Sequence, residues 1–213
     1  MSPEAVTAER LYRDLRRSIM MGIFQPGELL VTSHIAERLG TSVTPVRDVL
    51  HQLVGEGLIA TYDGGGFFVP AIDRERMAHL YRWHGEVMGI IIRHVERPQD
   101  IGDFPEHLGK MAQARDIAGI AALLFGRLAS LSPNHEHAAA IEGLGARLHL
   151  VRCHEYGLGR CRGELHSLWH NVRSPDKAKA RTALWHYHRR RILNLDKIMR
   201  ALARSGRATT MPQ

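Results

Sequence analysis

The sequence predicts a mainly α protein in two parts, an N-terminal winged helix-turn-helix and a C-terminal all-helical bundle. Three observations carry this reading. In the first 70 residues, amphipathic periodicities and turn signals come in the order helix, helix, turn, helix, hairpin. From residue 74 onward almost every segment repeats apolar side chains at three- and four-residue spacing. The composition, 44% hydrophobic and 24% charged over 213 residues, suits one sizeable core or two small ones and argues against wholesale disorder.

A first helix is expected over residues 8 to 22, where Leu11, Leu15, Ile19 and Met20 share a face and Arg10, Arg13, Arg16 and Arg17 occupy the others. Gly22 closes it, and Gln25-Pro26-Gly27 turns the chain. A second helix starts at Thr32 or Ser33, either of which has a side-chain oxygen for the free N–H groups of a first turn, and runs through Ile35, Ala36 and Leu39 to Gly40. A third follows Thr41-Ser42-Val43-Thr44, with Pro45 in the first turn where no N–H is needed, and buries Val46, Val49, Leu50 and Leu53. Residues 58 to 62 and 66 to 69 are β-prone and flank Asp63-Gly64-Gly65, a hairpin signal. Beyond a linker at 70 to 73, helices are expected over 74 to 96, 105 to 113, 115 to 130, 134 to 156, 158 to 172 and 176 to 203. The expected division is a DNA-binding domain over 1–72, an effector-binding and dimerisation domain over 73–204, and a loose tail over 205–213.

Charge and cysteine narrow the function classes. The chain carries a net charge of +7, yet residues 1 to 75 hold seven arginines against ten acidic side chains, a net of −3, so the basicity lies in the second part. No apolar run is long enough to span a bilayer and the N-terminus lacks a signal-peptide pattern, so a cytoplasmic protein without a membrane partner is expected. Cys153 and Cys161 read as ordinary thiols.

A helix-turn-helix reads DNA by laying the N-terminal side chains of its second helix in the major groove. Here those are Ser42 and Thr44, suited to phosphate or base edges, and Arg47, one turn in, suited to a bidentate bond with guanine. Arg10, Arg16 and Arg38 are either phosphate contacts or solvated faces. At the hairpin tip, Gly65 and Gly66 let the backbone come close to a neighbouring groove. The strings Pro26-Gly27-Glu28-Leu29-Leu30, Ile35-Ala36-Glu37-Arg38-Leu39-Gly40, Ser42-Val43-Thr44-Pro45-Val46-Arg47-Asp48-Val49-Leu50 and Gly66-Phe67-Phe68-Val69 resemble the GntR-family winged helix over about residues 8 to 72. Val43 stands where that family commonly has Arg, which exchanges a contacting cation for an apolar side chain.

The second part resembles the FadR-type effector domain of the same family, through helix order, Glu164-Leu165-His166 and the stretch from Asp176 to His188. That resemblance implies a small-molecule effector, a homodimer, operator DNA as partner and, in many members, a divalent metal held by an Asp-x-x-x-His pair and two later histidines. The later pair matches His166 and His188, 22 residues apart, but Ala122 and Gly126 stand where the earlier pair would be. The family metal site is therefore incomplete unless His135, His137 or His149 moves in, the cofactor is left unknown, and the favoured reading of His166 and His188 is hydrogen-bonded pocket residues. The candidate effector pocket is His84, Met88, Gly126, His166 and His188. His84 and Met88 replace an arginine and an acid of relatives, so any ligand is expected to be more apolar than the small carboxylic acids those relatives bind. Along Leu80, Trp83, Val87, Met88 and Ile91 the first effector helix reads as core, and Arg189-Arg190-Arg191 reads as a solvated face or a supplementary phosphate contact. Taken together, the residues point to a ligand-responsive transcription regulator, with repression the family's commoner outcome, rather than an enzyme. The alternatives are a histidine-metal bundle enzyme, which lacks a nucleophile-base set and paired acidic ligands, and a constitutive DNA-binding protein whose bundle only dimerises.

Overall fold

The computed structural model describes residues 3–104 and 114–209. The helix expected over 105 to 113 lies outside the described residues. The chain folds into two compact units, Met1–Ile72 and Asp73–Gln213.

In the first unit, helix α1 (Pro3–Met20) is followed by strand β1 (Leu29–Leu30), α2 (Thr32–Leu39), α3 (Val43–Gly55) and the hairpin of β2 (Ala60–Tyr62) and β3 (Gly66–Phe68). The apolar stripe of α1 buries Leu11, Leu15 and Ile19, and α3 buries Val46, Val49, Leu50 and Leu53, each worth about 1.5–3 kcal/mol relative to exposure. Leu39 is exposed, and only Ile35 and Ala36 of that short helix reach the core. The helix starts after Val31 with no side-chain cap, so neither Thr32 nor Ser33 plays the capping part expected of it. Gly40 ends α2 at φ 62°, ψ 37°, the left-handed geometry that brings the chain round into α3.

The sheet has the order β1-β3-β2, antiparallel throughout, with Leu30 opposite Phe67 and Thr61 opposite Phe67 on the other side. β1 was not anticipated. Two residues are too few to show a period-2 pattern, and the pairing partner lies far along the chain. Across α1 and α3, Tyr12 Oη donates to Glu56 Oε1 at 2.6 Å and Arg16 Nε to Glu56 Oε2 at 2.8 Å.

The second unit contains α4 (Arg74–His94), a 3-10 turn at Pro98–Ile101, α5 (Ala114–Ser130), α6 (Glu136–Arg152), a second 3-10 turn at Glu155–Leu158, α7 (Cys161–Arg173), α8 (Lys177–Leu193) and α9 (Leu195–Thr209). Asp73 caps α4 by accepting from Arg76 N at 2.7 Å, and Asp176 caps α8 by accepting from Ala178 N and Lys179 N. The helix expected over 176 to 203 is two helices. Asn194 breaks it with non-helical φ/ψ, its amide donating to Arg190 O at 2.8 Å, and Leu195 and Ile198 then turn into the core. Helical backbone continues to Thr209, past the expected start of a loose tail at Ser205, whose Oγ donates back to Ala201 O. Met88, Ile91, Leu124, Phe125, Leu128, Leu165, Trp169, Leu184 and Tyr187 form the centre of the bundle core. Trp83, expected in that core, is exposed, because Leu80, His84 and Ile91 take the inward face of α4.

Candidate DNA-reading face and buried polar cluster

The N-terminal turns of α3 present their polar side chains outward. Ser42 sits at the helix N-cap with extended backbone and makes no side-chain cap bond, and Thr44 and Arg47 are exposed with it. No carboxylate among the described residues pairs with Arg47. Val43 is exposed as well. Arg10 is exposed and 3.8 Å from Asp14 within its own helix. Arg38 lies exposed at the end of α2, its guanidinium 4.9 Å from the Phe24 ring centroid. Arg16 differs from these, because its ion pair with Glu56 ties it into the unit and leaves its side chain 19% exposed.

At the hairpin tip, Gly65 N donates to Tyr62 O at 3.0 Å, and Gly64 and Gly65 have φ of 112° and 86°, a conformation that resists any side chain. Gly66 is required for another reason. A Cβ there would run into the Tyr62 ring.

The bundle brings together a different set of groups from the expected pocket. His84 and Met88 of α4 and His188 of α8 are buried together around Phe125. The His84 ring is 4.6 Å and the His188 ring 6.0 Å from Phe125, and His84 Nδ1 is 2.9 Å from His188 Nε2. Gly126 and His166 are not part of this cluster. Both are exposed, with His166 edge-on to Phe104 at 4.9 Å. Gly85 allows the close approach of α4 and α8, since a Cβ there would come within 3.2 Å of His188 Cγ. His188 also lines a surface groove of about 460 Å³ with Arg82, Gly85, Trp185, Arg189 and Leu193.

The residues present do not fit the family's divalent metal. Both His188 nitrogens are engaged, Nδ1 with Leu184 O at 2.9 Å and Nε2 with His84, while Ala122 and Gly126 offer no ligand atom. His137 Nδ1 is bonded to Ser132 Oγ at 2.7 Å and His135 is exposed. Among the described residues no three His, Cys, Asp or Glu side chains converge on a point suited to an ion.

Around the histidines lies a set of buried charges that sequence reasoning missed. Glu155, 0% exposed, accepts from Tyr81 Oη at 2.6 Å and from Arg191 Nε at 3.0 Å. Arg191, also 0% exposed, donates through Nη1 to Glu164 Oε2 at 2.6 Å and lies over the Tyr187 ring at 3.6 Å, while Arg190 pairs with the other Glu164 oxygen. Only Arg189 of the arginine run is the solvated residue expected; it lies over Trp185. Arg191 is signalled in the sequence, standing three, four and seven residues after His188, Tyr187 and Leu184 on one helix face. Arg152 ends α6 at 1% exposure, 5.3 Å from the Phe125 centroid.

Burial sets the protonation of these groups. It holds both histidines well below their usual pKa, His188 down to about 3, with the Arg152 charge acting in the same direction on each. It pushes the Tyr187 phenol up to about 12 and the Tyr81 phenol well above its usual range, with Glu155 adding to both. Burial alone would lower Arg191, but the Tyr187, Glu155 and Glu164 partners outweigh it and the net shift is upward. The Cys161 thiol is raised by burial, consistent with an unreactive group.

Residues 7–69 match the family model described as "Bacterial regulatory proteins, gntR family". Over that stretch the chain is similar to the gntR family. It is 33% identical over 107 residues to the HTH-type transcriptional regulator McbR of Escherichia coli (strain K12), an alignment covering 48% of each chain. The chain thus spans about half the length of that curated relative. Among solved structures, E. coli McbR/YncC superposes with a TM-score of 0.70 at 23% identity, covering 89% of this chain and 97% of that one. A putative GntR regulator from Rhodococcus sp. RHA1 does so at 0.68 and 20%, covering 93% and 98%. These similarities establish a shared fold through the helical bundle as well as the gntR domain. No helix among the described residues is long and apolar enough to cross a membrane.

Proposed function

We propose that this chain is a ligand-responsive transcription regulator of the gntR family and FadR type, acting in the cytoplasm as a homodimeric repressor on a pseudo-palindromic operator. The observation that carries the DNA-reading part is the face of α3. Ser42, Thr44 and Arg47 stand exposed on its first turns, with Ser42 unspent on capping and Arg47 without an ion-pair partner among the described residues. Arg10 and Arg38 supply phosphate contacts, and Gly65 and Gly66 bring the hairpin backbone to the adjacent groove. Residues 73–204 act as the sensor. An effector shifts operator affinity only by its differential affinity for the two arrangements of the DNA-binding heads.

Selection of bound DNA from random oligonucleotides, followed by footprinting, tests this. An Arg47→Ala variant should lose about 1–3 kcal/mol of affinity for the selected site and relax preference at one base pair per half-site. A footprint and affinity equal to wild type would show that α3 does not read bases through Arg47.

A further inference from the structure

We infer that the end of the bundle where the chain enters it is a second, sequence-independent DNA contact, which binds duplex phosphates through Lys197, Arg200 and Arg204 of α9 and Arg76 of α4. The inference rests on the DNA-reading function proposed above and adds a surface to it.

The outward face of α9 is basic. Lys197, Arg200 and Arg204 follow one another at three- and four-residue spacing, so they share the side of the helix opposite the buried Leu195 and Ile198. All three are exposed, and none has an ion-pair partner among the described residues. Asp196, the one carboxylate of α9, is taken by Arg74. Like charges at these spacings repel one another, and Lys197 stands in the first turn, at the positive end of the helix. Helix stability therefore does not account for the row, whereas a polyanion outside the protein does.

The row starts where the bundle starts. Arg74, the second residue of the unit, holds Asp196 at 2.9 Å and so ties the beginning of α9 to the first turn of α4. Arg76, two residues on, projects from the other side of that turn. There it neighbours Arg147 of α6, whose Nε is buried with no hydrogen-bond partner. Burial, and after it the Arg76 charge, hold the Arg147 pKa below its usual range. An anion at Arg76 relieves the repulsion between the two guanidinium groups.

The linear arrangement selects a duplex over a discrete anion. Seven residues of helix place Lys197 and Arg204 about 10 Å apart along α9. A duplex carries one charge per about 1.7 Å of its axis, so such a row meets phosphates in any register and reads no bases. Charge balance points the same way. Residues 1 to 75 are net −3 and the rest of the chain net +10, so the long-range attraction to a polyanion resides in the second unit. The run from Arg189 to Arg191 does not supply it, because Arg190 and Arg191 are held by Glu164 and Glu155.

Binding of the full chain to the selected operator and to a random-sequence duplex, each of about 40 base pairs, measured over about 50–200 mM salt, tests this. Each phosphate contact contributes about 0.9 to the slope of log K against log salt, so Lys197→Gln/Arg200→Gln/Arg204→Gln should lower that slope by about 2–3 on both duplexes. Arg76→Gln should lower it by about 1, and neither variant should change base preference on the operator. Lys197→Arg/Arg200→Lys/Arg204→Lys, which conserves charge, should keep the wild-type slope. The control is Arg93→Gln/Lys179→Gln/Arg181→Gln, three exposed cations at the far end of α4, where Lys177 Nζ donates to Arg93 O at 2.7 Å. It removes the same charge and should leave the slope unchanged. A wild-type slope in the α9 Gln variant, or an equal drop in that variant and the control, overturns the assignment. Loss of base preference in Arg47→Ala, read on the same duplexes, keeps a failure of this surface distinct from a failure of the regulator reading.

Discussion

Replacing Glu155 by Gln probes the buried charge network most directly. Glu155 is wholly enclosed and accepts two bonds, from Tyr81 and from Arg191, with a 3-10 turn holding it between α6 and α7. An amide keeps the shape but removes the charge and turns one acceptor into a donor facing Arg191 or Tyr81. Removing one partner of a buried ion pair costs about 3–5 kcal/mol. Arg191 retains Glu164 at 2.6 Å, which places the expected loss near the low end, about 3 kcal/mol. The chain's tryptophans, Trp83, Trp169 and Trp185, all lie beyond residue 73, so fluorescence-monitored urea unfolding reports on the second unit alone. With a slope of about 2 kcal/mol per molar urea, the midpoint should fall by about 1.5 M. Glu164→Gln, at a carboxylate that is 28% exposed, should lower it by less than half as much. A Glu155→Gln midpoint within about 0.5 M of wild type, or one no lower than that of Glu164→Gln, would refute the view that Glu155 is the main counter-charge of Arg191.

Acidification should destabilise the same unit. His188 is held near pKa 3 in the folded chain against about 6.5 when unfolded, so the unfolded state takes up the extra proton and stability falls as pH drops from 6.5 toward 3. The loss from His188 is about 2 kcal/mol at pH 5, with His84 of the same sign and Arg152, Tyr187 and Arg191 packed around the pair. Urea midpoints at pH 7, 6 and 5 check it, and a flat series would contradict the buried neutral pair. In the first unit, Glu56→Ala removes the acceptor of both Tyr12 and Arg16 and should reduce hydrogen-exchange protection of α1 amides about tenfold, while leaving α8 amides unchanged.

Local patterns made the first unit legible. The face of α3, the left-handed Gly40 and the hairpin about Asp63-Gly64-Gly65 all follow from spacings of two to four residues, the range over which helices, turns and hairpins are specified. The exposed positions of Ser42, Thr44 and Arg47 follow as well, because a helix that buries Val46, Val49 and Leu50 must turn its other face outward. The same periodicity separates Arg191 from Arg189 once Leu184, Tyr187 and His188 are seen to share its face.

The buried polar cluster of the second unit was not determined this way. Tyr81 meets Glu155 across 74 residues and His84 meets His188 across 104, so no local window contains either pair. Whether an arginine is solvated or enclosed depends on what neighbouring helices place beside it. A charge is tolerated in the interior only through partners that folding brings together. By itself the sequence determined most of the helices, the turns and the exposed face of α3, whose residues lie close along the chain. Tertiary structure decided which histidines pair and that Arg152 and Arg191 are buried, Arg152 against Phe125 and Arg191 against Tyr187, because hydrogen bonding and desolvation act through space rather than along the chain.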